Sequence, residues 1–524
     1  MVSWATLLLV ATPLIYLFVR AAEAGWQRYL SVMWSERVAE LAVRTTGLCL
    51  SALAVAIAVA LPSAWVVVRS DLPKRRLWAV LLALPLVFPS YVAAFTWVSF
   101  FGPRGYLQGW LGPLGVERLP EFVYGFSGAT LVLGLFTYPY VFLLLVAAIR
   151  TLDPALEESS RALGVGRAGT FLSVVLPQLR PAFYGGSLLV VLYTLSDFGA
   201  VSIVRFNTFT LSIYNAYRGL FDRSLAAALA TVLVVLTLAW IGLEAGLAGR
   251  LRPAQERRSS APRRSPLGRW RWPAMAFLGT VVALSLVVPT GVIVFWGVRA
   301  LWIGNTLGRV GLEALASVGV SLAAAVVAVL LALPPVIWSV RYPGRWAFWV
   351  ERGCHAGYAL PGLVVGLAWV FLATRYLGWA YQTLGLLVTA YVVRFLPQAL
   401  AAGRSALAAA PPVLEEAARD LGSPPLEVFR TVTLPLVRPG LLMGGALVFL
   451  TAMKELPATL ILRPSGFETL ATRIWSTATE GIYSEAALPS FLLLAVSAVP
   501  LYLLVIRPAL GERRGRRAAI GRLR

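Results

Sequence analysis

Charge is scarce in this chain: 13% of its 524 residues are charged and 59% are hydrophobic, against about 25% charged in a soluble domain. Histidine occurs once and cysteine twice, with Cys49 and Cys354 both in apolar stretches. Two isolated thiols give no disulfide framework, and the single Cys354–His355 pair cannot fill a tetrahedral metal site. Lysine is nearly absent too. Lys74 follows a proline and Lys454 a methionine, so neither supplies the Gly-Lys-Ser/Thr of a phosphate-binding Walker A loop. No apolar span pairs His, Cys or carboxylates in a catalytic arrangement, which argues against a membrane enzyme. The N-terminus lacks a basic, cleavable leader, and residues 4–19 read as a retained first helix.

What fills the space is apolar sequence. Residues 45–68, 77–103, 122–149, 224–243, 272–298, 314–340, 353–374 and 486–506 contain no Asp, Glu, Lys or Arg, and each reaches the roughly 20 residues that cross a bilayer as helix. Residues 4–19 form a shorter run. Three more spans are broken only by isolated charges: 182–204 by Asp197, 383–402 by Arg394, and 439–462 by Lys454 and Glu455. The runs do not alternate as β-barrel strands do. An all-α membrane protein of about twelve transmembrane helices is expected.

The net charge of +22 is nearly all arginine. A basic chain can signal nucleic acid, but here the charge sorts by loop. With both termini cytoplasmic, the inner loops hold 30 of the 46 Lys and Arg residues, as the positive-inside rule requires. That orientation is the expectation, with lipid and not nucleic acid as the surroundings of the basic segments.

The chain also repeats itself. Residues 157–181 and 415–439, offset by 258, share eleven identities in 25 positions. They include Glu157/Glu415, Glu158/Glu416, Arg161/Arg419, Gly164/Gly422, Leu176-Pro177/Leu434-Pro435 and Arg180-Pro181/Arg438-Pro439. Pro139 matches Pro397 at the same offset. Upstream the offset is 272: Leu61-Pro62 matches Leu333-Pro334, Arg69 matches Arg341, Pro89 matches Pro361 and Trp97 matches Trp369. The difference places a 14-residue insertion between Trp97 and Pro139, in a Gly- and Pro-punctuated stretch that reads as an external loop. The repeat implies two parallel six-span units: residues 1–249 and 273–508, joined by a basic linker, 250–272, and succeeded by a basic tail, 509–524.

The repeated segment has local logic. Asp153-Pro154 is a good helix start. Glu157 and Glu158 sit in the electropositive first turn. Gly164 permits a left-handed residue that ends the helix. A second short helix is expected from about Arg167 to Leu176, interrupted by Pro177 before the next span. The other copy runs between Pro412 and Pro435.

The pattern E-x-x-x-x-x-G-x9-hydrophobic-x-L-P resembles the "EAA" loop of binding-protein-dependent ABC importer permeases. It fits as Glu158…Gly164…Val174-x-Leu176-Pro177 and as Glu416…Gly422…Val432-x-Leu434-Pro435. Ala417 and Ala418 match the family's alanines, while Ser159 and Ser160 replace them in the first copy. The resemblance implies the fold of a type I importer permease in a bacterial inner membrane. It implies that Glu157, Glu158, Arg161, Gly164, Leu176 and Pro177, with Glu415, Glu416, Arg419, Gly422, Leu434 and Pro435, form coupling loops. These would dock on a separate ATPase, expected as a homodimer, which binds ATP and Mg; this chain would bind no cofactor. A substrate-binding protein would deliver the cargo.

Asp197 and Glu455 are also 258 apart. Each lies roughly 13–16 residues along its span, about 20 Å at 1.5 Å per residue, toward the outer half. Ionisable groups inside spans face a cavity or a partner. They are expected to line the pathway or its outer gate with Arg394 or Lys454 as balance, or else to form structural ion pairs. Segments 196–217 and 453–475, and the fusion of two units, are similar to the iron(III) branch of the family. Thiamine, polyamine and phosphonate importers remain alternatives, as does a secondary transporter.

Overall fold

A computed structural model describes residues 2–23, 25–115, 120–220, 222–248, 265–303 and 307–501. The expected linker up to residue 264 and the expected tail 509–524 lie outside the described residues. Those described are helical, with one isolated bridge, Ser70–Ser265, as the sole extended pairing among them. Ten helices are long and apolar enough to cross a membrane, or eleven if one bent pair counts as a span.

The bent pair replaces the continuous helix expected over 77–103. Arg75–Val87 and Ser90–Leu114 meet at 99°. The break falls at Phe88-Pro89, both extended, because a proline disfavours helix in the residue before it. The second repeat breaks at the matched place: a 3-10 turn, Ala356–Ala359, precedes Pro361 and the 15-residue helix Gly362–Tyr376. The expected span 353–374 is therefore reduced to a helix too short to be counted, which with the bent pair accounts for the difference from twelve.

The packing forms two compact units, and they do not coincide with the chain halves. Among the described residues, one holds those of 30–300 with 478–487, the other those of 2–29 with 301–477 and 488–501. Each half's first helix thus lies in the unit built mainly from the other half. Val2–Glu23 packs on Leu307–Arg341, Arg345–His355 and Gly362–Tyr376. Trp4 meets the rings of Trp338 and Trp346 at 6.3 and 5.8 Å. In the other unit the helix through Arg271–Trp302 is tied by Trp97 Nε1 donating to the Leu284 carbonyl (3.2 Å) and Trp296 Nε1 to Ser99 Oγ (2.9 Å).

Within each unit the helices flanking the repeated loop cross closely through a matched glycine. A Cβ at Gly186 would lie 3.0 Å from Val141 Cα, and one at Gly444 3.1 Å from Ala399 Cα. Small residues let backbones approach in lipid, where packing replaces the hydrophobic drive between helices. The same close approach recurs at the same register in both units.

Candidate functional site

The first loop begins where Gly125–Thr151 ends. Asp153 caps Pro154–Ala162, its Oδ1 accepting from Ala155 N at 2.9 Å. Gly164 ends that helix at φ +82°, and Gly422 ends Pro412–Asp420 at φ +88°. These left-handed residues let the chain turn back without the strain that a Cβ would bring.

Beyond each glycine the structure differs from the expected short helix with a break. Arg167–Ser196 is continuous, as is Pro425–Met453. Pro177 and Pro435 are absorbed by a π-turn at Phe171–Val175 and Phe429–Thr433. There Leu176 N reaches back to Phe171 O, and Leu434 N to Phe429 O. The widened turn resets the register, so each proline falls in the first turn of the next α-segment, where its missing N–H costs little.

The two adjacent glutamates point different ways. Glu157 and Glu415 are buried, 8% and 5% exposed, while Glu158 and Glu416 are exposed. Glu157 pairs with Arg69, the last residue of Glu36–Arg69, and its other oxygen lies 3.6 Å from Arg161. Glu415 repeats the arrangement. Arg341, which ends Leu307–Arg341, donates through Nε and Nη2 to Glu415 Oε1 at 3.1 and 3.0 Å. Arg419 lies 3.5 Å from Oε2, and the Thr433 hydroxyl donates to Oε1 at 3.1 Å. An ion pair with charge-assisted hydrogen bonds is what lets a carboxylate be buried at all.

The loop tips carry exposed leucines at matched positions, Leu163 at 84% and Leu421 at 87%, with Leu156 and Leu414 exposed beside them. Arg69, Arg341, Leu163 and Leu421 belong to the candidate site, and no motif singles them out. The signal is present: each pair matches across the repeats, but a basic residue at a span end also has a topological explanation, and a leucine in an apolar chain attracts no notice.

Neither Asp197 nor Glu455 lies within its long helix. Each comes just after its helix, which ends at Ser196 or at Met453 with Lys454 as the cap, and opens a short buried helix, Gly199–Ile203 or Pro457–Leu462. The apolar run continues past the break because that short helix is itself buried. Asp197 Oδ1 accepts from Ala200 N and Val201 N at 2.9 and 3.2 Å, with the Ser90 hydroxyl as a further donor. Glu455 Oε1 accepts from Ala458 N at 3.1 Å, and Oε2 pairs with Arg394. Gly362, the counterpart of Ser90, leaves the room this pair occupies: a Cβ there would overlap both Arg394 Nη1 and Glu455 Oε1. The structure thus brings Arg394 and Glu455 together, places Lys454 half-buried beside them, and holds Asp197 in a separate network. Among the described residues no three His, Cys, Asp or Glu side chains gather into a metal-binding group.

The family model of binding-protein-dependent transport system inner membrane components matches residues 52–253 and again 324–508. The chain is 31% identical over 523 residues to the Fe(3+)-transport system permease protein FbpB 2 of Haemophilus influenzae, covering 96% of this chain and 97% of that one. It is 24% identical over 441 residues to the ferric transport system permease protein FbpB of Actinobacillus pleuropneumoniae, covering 80% and 64%. The sulfate transport system permease protein CysT of Escherichia coli is 29% identical over 240 residues, 44% of this chain and 84% of that protein. A double match of this extent removes the secondary-transporter reading and the membrane-enzyme reading together. The chain belongs to the binding-protein-dependent transport system inner membrane components, as a two-unit ABC importer permease that performs no catalysis itself.

Proposed function

We propose that this chain forms the whole translocation pathway of an ATP-driven importer of iron(III), fed by a substrate-binding protein on the outer side. The loops at 153–177 and 411–435 are its docking handles for an ATPase homodimer, which holds ATP and Mg. Both chain termini face the cytoplasm, on the side of the handles, in agreement with the arginine-rich inner loops. The observation that carries the reading is the loop built twice: a buried glutamate holding it inward and an exposed leucine, Leu163 or Leu421, presented outward. An ion-driven carrier has no use for such a pair.

The iron(III) assignment rests on the full-length similarity to a permease named for Fe(3+) transport. Asp197 and Glu455 then lie along or beside the route, with Arg394 and Lys454 setting the local balance of charge. Cargo selection resides in the binding protein, so the permease needs no coordination site of its own. The test is reconstitution in proteoliposomes with the partner ATPase and binding protein. ATP hydrolysis and uptake should rise with the iron(III)-loaded partner. Stimulation by a thiamine- or sulfate-loaded partner alone would refute iron.

A further inference from the structure

We infer that Arg69 and Arg341 are positioning residues: by anchoring Glu157 and Glu415 they make each docking loop a rigid lever on the end of a long span. The inference rests on the docking reading above. Each loop is joined to its flanking helices through extended residues, Leu152-Asp153 and Ala410-Pro411, and through a turn at Gly164–Gly166 or Gly422–Pro424. Rotation at these joints would absorb a push on the tip. The arginine supplies a third attachment, to a helix of 34 or 35 residues.

The two repeats reach this by different side chains. In the first, the Arg69 guanidinium lies 5.5 Å from the Trp65 ring centre, and that ring meets Phe171, the first residue of the π-turn, edge-on at 5.3 Å. In the second, Arg341 also donates to the Ala410 carbonyl at 3.0 Å, while Thr433, the last residue of the π-turn, donates to Glu415. Span end, loop helix and π-turn are tied together each time. Sequence that has drifted while the tie persists points to a mechanical requirement. The neighbouring Glu158 and Glu416 stay on the exposed side of the loop, where the partner docks.

The test uses the full-length permease in nanodiscs, with a nitroxide on Leu163→Cys or Leu421→Cys; Cys49 and Cys354 are buried. Arg69→Ala should mobilise the label at 163 and leave that at 421 unchanged, and Arg341→Ala should do the reverse. Unchanged spectra, or both labels loosening together, would overturn a local anchor. In the complete complex, the ATPase should remain bound to the double alanine variant. Stimulation of hydrolysis by the loaded binding protein should fall at least threefold, and Arg69→Lys with Arg341→Lys should recover most of it. If the alanine variants do not fold, Glu157→Gln with Glu415→Gln retains side-chain size, and full stimulation there would equally overturn the inference. A wild-type permease that holds no ATPase would instead refute the docking reading, since the label spectra are read without a partner.

Discussion

Gly164 and Gly422 have open space around them: a Cβ at either would meet nothing within 4 Å. Their importance is conformational alone, at φ +82° and +88°. A left-handed L-residue costs roughly 1–2 kcal/mol, with Asn the mildest. Gly164→Val with Gly422→Val should therefore uncouple or release the ATPase, while the Asn pair retains most of its binding, measured by co-purification and stimulated hydrolysis. Normal stimulated turnover in the Val pair would count against the docking role. The Arg394–Glu455 pair obeys a different rule. Removing one partner of a buried pair strands the other and costs about 3–5 kcal/mol, whereas removing both costs less. Glu455→Gln should lower thermal stability more than Glu455→Gln combined with Arg394→Gln, a comparison that a double-mutant cycle makes directly. Asp197→Asn retains an oxygen to cap Gly199–Ile203, so the fold should survive it. Loss of uptake in that variant would mark a role along the route, and unchanged uptake would remove Asp197 from it.

At the scale of elements, the π-turns at Phe171–Val175 and Phe429–Thr433 set the rotation of each loop about the helix beyond it. Deleting Ser173 or Thr431 should convert the wide turn to α-helix and swing the loop by about 100°, one residue's rotation. The glutamate would then leave its arginine, and stimulated hydrolysis should fall while the protein still inserts. A circular dichroism spectrum with helix content retained, alongside the hydrolysis assay, checks this. These elements also show what was legible in sequence. Asp153, Gly164 and Gly422 announce the loop because capping and left-handed turns depend on one residue at a time. The π-turn does not, because it arises from a conflict between Pro177 and a helix that tertiary packing keeps continuous. Pro89 and Pro361 were visible as matched prolines, but hydropathy is blind to a bend and reads through it. The acids at 197 and 455 look like charges in a span for the same reason: the short helices beyond them are as apolar as the spans before.

At the scale of the molecule, the exchanged first helices have no signature in one sequence, since which apolar helix packs on which is decided by shape. Removing residues 1–24 should raise hydrogen exchange in Leu307–Arg341 and Gly362–Tyr376 and leave Gly125–Thr151 as it was; the opposite pattern would contradict the exchange. The exchange also imposes an order in time. Val2–Glu23 is made first, yet its packing surface, beginning at Leu307, emerges about 300 residues later. At about 5–20 residues per second, that is a wait of some 15–60 s. The helix through Arg271–Trp302 meets partners already in the bilayer. The first-made unit can therefore assemble all but Ala478–Ala487 while the ribosome is still at work, and the other stays open until the chain is nearly done. Val2–Glu23 spends the interval without that packing surface, a delay that the charge-free run 4–19 allows it to survive in lipid.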